Sequence, residues 1–395
     1  MTRQKLWTRS FVIITFENFL VSMNFLLLMT VISKFATDRF GASTAIAGLS
    51  ASIFIIGGLV TRPLCGKWIY RVGQTKTLYI GAFLSLVLTL AYFAASSTVL
   101  LLLVRFLHGA AFGVTSLATG TIVAGVVSSK RYGEGIGYFT LSSTVATAIG
   151  PFIGLMLIQH RSFDSIIIAC SIAAAIGLVI LPLLSVNELE LTEEQVEEAR
   201  GFKLSNYIEP KVVPIALVAM VAYLCYASVI SFLALYSQEI QLAGAASFFF
   251  IVYAAAIFVT RPFTGRRFDV KGENSVMYAA ILIFAIGLAV FSQAHHGYVL
   301  MLAAAVMGFG FGAVQSSSRA IAVKITAPHR MGLATSTFFM FLDMGMGIGP
   351  LLWGIVIPFT GYRGMYVAAA IVAAGCLILY YALYGRHVGG DAVAS

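Results

Sequence analysis

Charge is what this chain has least of. Only 10% of its 395 residues are Asp, Glu, Lys or Arg, while 59% are hydrophobic; soluble domains use roughly a quarter charged residues. That balance excludes a water-soluble globule and a disordered chain, neither of which can keep so much apolar surface in water. Cysteine is scarce as well. Cys65, Cys170, Cys225 and Cys376 sit within or at the ends of apolar blocks, without Cys-x-x-Cys spacing or clustered histidines. They read as reduced packing residues, with no metal site and no cofactor expected. There is no P-loop, no dinucleotide fingerprint and no nucleotide domain, so ATP is not the expected direct energy source. No serine nucleophile motif stands out either; "QSSSR" at 315–319 is a run of small polar residues without a nearby base, and an enzyme is not expected.

What is present is about a dozen apolar blocks of roughly 20 residues or more, the length a helix needs to cross ~30 Å of hydrocarbon. The reading is an all-α membrane protein of twelve spanning helices. Helix two is placed at 45–66, helix eight at 244–265, helix nine at 275–294, helix eleven at 332–358 and helix twelve at 363–385. The basic start "MTRQKLWTRS" precedes an apolar block too long for a signal peptide and lacking a small-residue cleavage site, so it opens the first helix. With the N-terminus inside, the cytoplasmic segments hold seventeen of the 25 Lys and Arg, and the opposite loops hold only Lys34, Arg39, Arg161 and Arg363. The positive-inside rule then places both termini in the cytoplasm of a multi-pass protein of the plasma (inner) membrane. The net charge of +9 is explained by topology and needs no nucleic-acid partner. Trp7, Trp68 and Trp353 fall near predicted helix ends, where indoles meet headgroups.

The chain repeats itself. "VTRPLCGKWIYRVG" at 60–73 returns as "VTRPFTGRRFDVKG" at 259–272, "HGAAFG" at 108–113 aligns with "MGFGFG" at 307–312, and Gly150-Pro151 aligns with Gly349-Pro350. All share an offset of 199, without gaps over about ninety residues, which marks a duplication. Six helices per half is an even number, so the second copy enters the membrane as the first does, a parallel repeat. The expected domains are an N-terminal six-helix bundle at 1–186, a cytoplasmic linker at 187–212 and a C-terminal six-helix bundle at 213–395. The linker carries seven of the sixteen carboxylates. It reads as a solvated tether with a short helix, Thr192 and Gln195 forming a capping box and Gly201 closing it.

Ionisable groups at bilayer depth are costly and are by default functional candidates. Of the carboxylates only Glu17 and Asp343 fall inside predicted spans. Asp343 is ~16 Å along helix eleven, near the midplane, and Glu17 ~10 Å from the cytoplasmic face. Asp343 fits proton coupling or substrate binding, or a structural hydrogen bond. Glu17 is either functional or a solvated vestibule residue. Arg105 lies ~10 Å below the outer face of helix four, with His108 one turn deeper on the same side. His108 serves either as a proton relay or as a neutral imidazole bonded to a backbone carbonyl. Arg319, Arg62 and Arg261 lie toward helix ends, the first free to snorkel and the other two suited to structure or gating. Asn18, Asn24 and Gln315 line a polar cavity or bond between helices. Tyr223, Tyr226, Tyr253, Phe112 and Phe338 offer either an aromatic substrate surface or packing. The proline and glycine of 150–151 and 349–350 can bend or thin a helix at an interface between the halves.

Two six-helix halves, a central linker and arginine-bearing turns after helices two and eight resemble the major facilitator superfamily over essentially the whole chain. Its loop pattern is Gly-x-x-x-Asp-Arg-x-Gly. "GKWIYRVG" keeps Gly66, Arg71 and Gly73 but has Tyr70 for the aspartate, and "GRRFDVKG" keeps Gly265, Asp269 and Gly272 but has Val270 for the arginine. "RFLHG" resembles the Arg-x-x-Gln-Gly pattern of proton antiporters with His108 in the glutamine's place, and "AIGPFIG" resembles their Gly-Pro motif. The resemblance implies the twelve-helix drug and metabolite proton antiporters. The expected function is proton-coupled export of a small organic solute, whether drug, sugar-like metabolite or metal chelator, by a monomer in a lipid bilayer. It also implies that Arg105 serves the proton step, and that the Tyr70 and Asp269 turns form an asymmetric cytoplasmic gate favouring the inward-open state. Proton-coupled uptake and a non-transporting sensor or lipid-handling scaffold are the alternatives. Arg105 and His108 against two carboxylates lean the cargo toward anions or zwitterions.

Overall fold

The structure, a computed structural model, describes residues 6–128, 131–186, 208–326 and 330–386, without the side chains of residues 63, 64, 66, 67, 70, 71, 132, 133 and 332. Among the described residues every long element is a helix and there is no strand. The helices are α1 (Arg9–Phe40), α2 (Thr44–Val72), α3 (Gln74–Ala91), α4 (Thr98–Val126), α5 (Tyr132–His160), α6 (Phe163–Ile180), α7 (Val213–Glu239), α8 (Ala243–Ser292), α9 (Gly297–Lys324) and α10 (Met331–Tyr380). In hydrocarbon, each backbone amide must find its partner within the segment, which is why apolar runs fold this way. Polar ends are closed by side chains: Thr8 Oγ1 accepts from Phe11 N at 3.2 Å and Ser97 Oγ from Leu100 N at 3.2 Å. Large apolar side chains stay on the exterior, among them Phe359, Val99, Ile378 and Val179, as expected of a surface that lipid covers.

Among the described residues ten helices are long and apolar enough to cross a membrane, where twelve were expected. Two of the ten account for the difference. α8 and α10 each have 50 residues, or ~75 Å at 1.5 Å per residue, more than twice a hydrocarbon core. Each breaks at one glycine with left-handed φ, Gly272 at φ 76° and Gly361 at φ 66°, a conformation that other residues adopt only at a cost. Counting the arms 243–271, 273–292, 331–360 and 362–380 gives twelve helical segments among the described residues. Helices two and eight also run past their expected ends at Gly66 and Gly265. A single glycine costs a helix only about 1 kcal/mol, and the first real breaks come at Gly73, φ 92°, and Gly272, which are equivalent at the offset of 199.

The chain divides into two compact units, one of residues Met1–Gly41 and Ile53–Gly201, the other of Ala42–Ser52 and Phe202–Ser395. The same pairings recur inside each. In unit 1, α5 packs on α1 and α4 on α3; in unit 2, α10 packs on α7 and α9 on α8. The repeated "HGAAFG" and "MGFGFG" have a packing role in this scheme. A Cβ on Gly109 of α4 would overlap the carbonyl oxygen of Phe54 on α2, and a Cβ on Gly308 of α9 would overlap that of Tyr253 on α8. Phe54 and Tyr253 are also 199 residues apart, so the duplication preserved a backbone-to-backbone crossing that only glycine permits.

Two expectations are corrected and one is divided. The Gly-Pro motifs were placed at an interface between halves; Pro350 does lie against the first half of the chain, since a Cβ on Gly48 of α2 would overlap its carbonyl oxygen, but the glycines of both motifs pack inside their own half. A Cβ on Gly150 would come 2.8 Å from the Met23 carbonyl of α1, and one on Gly349 2.8 Å from the Leu224 carbonyl of α7. Trp353, expected at a headgroup boundary, is buried and donates from Nε1 to Leu224 O at 2.9 Å; its N–H is satisfied by backbone. The linker was expected to be solvated throughout. Its end is not: Glu209 is buried, its carboxylate is 2.5 Å from Arg330 Nε, and its amide donates to Thr337 Oγ1 at 2.9 Å. The capping box at Thr192 and Gln195, with Gly201, lies outside the described residues, as do the side chains of Gly66, Tyr70 and Arg71. Glu209→Ala leaves Arg330 without its carboxylate, but the Arg330 side chain is 40% exposed and water takes over its donors, so stability is expected to fall by about 1 kcal/mol or less, read as a lower melting temperature in detergent. An unchanged melting temperature would show that the pair contributes nothing.

Candidate functional site

Three predicted ionisable residues of unit 1, Glu17, Arg105 and His108, converge on one locality. α4 carries Arg105 and His108 one turn apart, and both point toward the end of α3. Arg105 is 0% exposed; its Nη1 donates to Tyr92 Oη at 3.3 Å and its Cζ lies 4.5 Å from the centre of the Phe54 ring. His108 is held at both nitrogens, Nδ1 3.2 Å from Tyr92 Oη and Nε2 3.5 Å from Thr89 Oγ1. Thr89 donates its own hydroxyl proton to Ser85 O at 2.7 Å, so its oxygen is left to accept from Nε2–H. Tyr92 accepts from Arg105 and donates to Nδ1. The polarity is then fixed along a directed chain from Arg105 through Tyr92, His108 and Thr89 to Ser85. Of the two roles weighed for His108, this bonding fits the neutral imidazole protonated on Nε2, with hydroxyls as its partners and not the backbone carbonyl expected.

His108 and Ser85 also line a small pocket within the same unit, open to solvent on one side. Glu17 and Asn24 reach it from α1. They are seven residues apart, two turns on one face, and face α6 residues with the same spacing in reverse order. Glu17 lies against Gly177, where a Cβ would overlap Oε2, and Asn24 donates from Nδ2 to Cys170 O at 3.0 Å. Glu17 is only 2% exposed and Asn24 7%. Two of their oxygens, Glu17 Oε2 and Asn24 Oδ1, are buried without a hydrogen-bond partner. Phe25, Phe54 and Phe112 form the aromatic side, with ring centres 5.0–5.4 Å apart. Arg105 does not line the cavity.

The remaining candidates lie elsewhere. Asn18, expected in a cavity, donates to Ser142 Oγ and Ser143 Oγ of α5 at 2.8 Å each and joins helices. In unit 2, Tyr226 stacks on Phe311 and Tyr253 at 4.5 and 5.6 Å, Tyr223 tilts against Phe311 at 4.9 Å, and Gln315 Nε2 donates to Tyr223 Oη. Phe338 is buried beside Phe339. Asp343 is half-buried on α10. Arg319, expected to snorkel, has its guanidinium 5.3 Å from the centre of the Phe339 ring. Arg62 and Arg261 are half-buried, and Asp269 is exposed. At the offset of 199, Arg105 matches Ala304 and His108 matches Met307, whereas Phe112 matches Phe311. Phe54 likewise matches Tyr253, but Phe25 matches Leu224, so the aromatic lining was kept in part and the ionisable cluster of α4 was not.

Sequence reading missed Tyr92, Thr89 and Phe54. Tyr92 ends a helix as an ordinary interfacial tyrosine would, and only the packing of α3 on α4 shows that it joins Arg105 to His108. The three-residue spacing of Thr89 and Tyr92, which puts two hydroxyls on one helical face, was the available signal.

Comparison with known proteins gives one consistent result. The profile of the Major Facilitator Superfamily matches residues 14–270 and 215–392. An uncharacterised MFS-type transporter of Burkholderia pseudomallei is 26% identical over 371 residues, covering 91% of this chain and 88% of its own. One of Methanocaldococcus jannaschii is 22% identical over 352 residues, covering 86% and 89%. Among solved structures, a bacterial homologue of the human lysosomal transporter Spinster, inward-facing and unoccupied, superposes with a TM-score of 0.79 at 14% identity over 96% of this chain and 97% of its own. The nucleoside transporter NupG superposes at 0.75 with 14% identity, over 95% and 99%. At these identities the structural likeness shows the fold alone.

Proposed function

The chain belongs to the major facilitator superfamily and is therefore a multi-pass membrane transporter and not an enzyme, and from that premise we propose that it exports a small organic solute in exchange for protons by alternating access. The observation that carries this reading is the cavity of unit 1, where Glu17 presents a buried carboxylate oxygen without a partner beside the Arg105–Tyr92–His108 chain. A carboxylate so placed is costly to keep ionised unless a cation faces it. Binding and releasing a proton as access alternates is the chemistry such a group serves. Asp343 on α10 is the second proton candidate. The RFLHG run of α4 and the Gly150-Pro151 pair of α5 support outward transport through their likeness to antiporter motifs. The cytoplasmic excess of Lys and Arg supports termini on the cytoplasmic side of the plasma membrane, and the chain works as a monomer.

The test is solute-dependent proton movement in proteoliposomes with a panel of drugs and small metabolites. Glu17→Gln and Asp343→Asn are each expected to lower proton-coupled flux at least tenfold while the solute still exchanges down its own gradient. If both variants couple at parental rates, the proton assignment is wrong. If an imposed gradient drives only uptake alongside protons, the direction is wrong.

A further inference from the structure

The second arms of unit 2, 273–292 of α8 and 362–380 of α10, are fastened to each other at both ends. At one end stands Glu273, the first residue after the left-handed Gly272 and only 3% exposed. Its Oε1 accepts from Tyr384 Oη at 3.0 Å and its Oε2 from Lys324 Nζ of α9 at 2.7 Å. Beside it Asn274 donates from Nδ2 to Gly385 O at 2.9 Å and accepts from Tyr380 Oη at 2.8 Å. Gly385 closes a wide π-type turn, 381–385, seated so tightly that a Cβ on it would come 2.5 Å from Tyr278 Oη. At the other end Arg363, two residues past Gly361, donates to Ser292 O at 3.2 Å and to Ala294 O at 2.9 Å. These are carbonyls that a helix end leaves open. The Lys324 side chain is 59% exposed, so its ion pair contributes little alone. The hydroxyl, amide and guanidinium bonds carry the two clasps.

Unit 1 has the equivalent helices and different ends. α3 starts at Gln74 and α6 at Phe163, each 199 residues before the starts of the second arms at Glu273 and Tyr362. Yet Gly125 stands for Lys324, Leu181 for Tyr380 and Asp164 for Arg363, and none of these side chains can donate the bond that its counterpart makes. Asp164 is exposed. The carbonyl of Ser185, in the place of Tyr384, accepts instead from Ser10 Oγ of α1 at 2.6 Å. Helices that touch only through interdigitated side chains can shear by small steps, whereas directed bonds at both ends forbid it, because one slide would break them all. We propose that the two clasps make unit 2 a rigid block through the transport cycle, and that the bending inside a bundle falls on unit 1. The last turn of the chain, 381–385, is then a working part of the mechanism. This inference rests on family membership and not on the proton or solute assignments.

Spin-label distances in the full chain, reconstituted in lipid, test it. Leu282 and Ile371 are exposed on the two second arms of unit 2, and their equivalents at the offset of 199, Phe83 and Ile172, are exposed on α3 and α6. The four native cysteines are buried, so labels go to cysteines introduced at either pair. The pair in unit 2 is expected to give one narrow distance distribution, and the pair in unit 1 a distribution at least twice as broad. Asn274→Leu, which cuts the bonds to Gly385 and Tyr380, and Arg363→Leu should each broaden the unit 2 distribution toward that of unit 1. Ending the chain at Tyr380 should do the same; should that shorter chain not fold, Tyr384→Phe removes one bond of the same clasp and is expected to broaden the distribution by a smaller amount. Asp164→Leu, at the equivalent of Arg363, should change neither pair. Equal widths in the parent, or a narrow unit 2 distribution that survives Asn274→Leu and Arg363→Leu, would overturn the proposal. The measurement needs neither solute nor pH gradient, so it stands or fails apart from the export reading.

Discussion

Gly109→Leu is expected to leave little folded protein. Gly109 of α4 crosses α2 at Phe54, and a Cβ there would overlap the Phe54 carbonyl oxygen. That obstacle is backbone, already committed to its own helix, so no rotamer change relieves it. The helices must separate, which opens the Phe54–Phe112 contact and takes the Phe54 ring from under Arg105. Overpacking a tight core costs about 1–3 kcal/mol and often more where nothing can yield, a large part of the total stability of a domain. Gly308→Leu should act alike in unit 2 through the Tyr253 carbonyl. The control is Gly120→Ala, also on α4, where a Cβ meets nothing within 4 Å and helix propensity improves. Size-exclusion profiles and melting curves in detergent decide the matter. A Gly109→Leu protein that melts within about 1 °C of the parent, a shift worth less than ~1 kcal/mol for a chain of this size, would show that the crossing is looser than described.

The same glycines show how much of the fold was legible in the chain. The offset of 199 that aligned "HGAAFG" with "MGFGFG" was visible without coordinates, and so were the apolar blocks and the parallel repeat. Their meaning was not, because a glycine kept for close approach and one kept for a bend look alike in one dimension. Gly66 and Gly265 resembled the ends of helices, yet the chain turns at Gly73 and Gly272, where φ is positive. Hydropathy marks where hydrocarbon ends and carries no information on where the backbone breaks. α8 and α10 were counted as two helices each because two apolar blocks cannot share one span, and a single left-handed residue is what divides them.

The candidate site was legible by residue type and obscure by partner. Charges inside apolar blocks were readable because their cost singles them out, so Glu17, Arg105, His108 and Asp343 stood out as candidates, of which the first three share one locality and Asp343 lies in unit 2. Tyr92 and Thr89 were missed because a hydroxyl costs little and is common in such helices. Asn18 and Asn24 looked equivalent, but one ties α1 to α5 and the other keeps an oxygen for the cavity. Glu209 was misread because it belongs to an acidic run, and run composition says nothing of its last member, which meets Arg330.

Arg105→Lys is expected to keep the fold and lose at least tenfold of the proton-coupled flux. The side chain is fully buried, with one nitrogen on Tyr92 Oη and its plane over the Phe54 ring. Lysine keeps the charge and most of the stem, but it has neither a flat face to stack nor the fork that reaches a hydroxyl from the side. Tyr92 then loses the donor that turns its own proton toward His108 Nδ1, and the polarity of the chain through Thr89 to Ser85 is no longer set. Arg105→Ala should instead lower both flux and stability, the latter by about 2–5 kcal/mol, as large-to-small changes in a packed interior do. Tyr92→Phe separates orientation from packing, since it removes one oxygen from a buried ring. Its flux should fall toward that of Arg105→Lys, with a stability loss of about 1–3 kcal/mol because Arg105 Nη1 loses this buried acceptor. Flux in proteoliposomes, compared at matched amounts of folded protein, reads the outcome. If Arg105→Lys and Tyr92→Phe both transport at the parental rate, the directed chain is a packing arrangement without a part in the proton step.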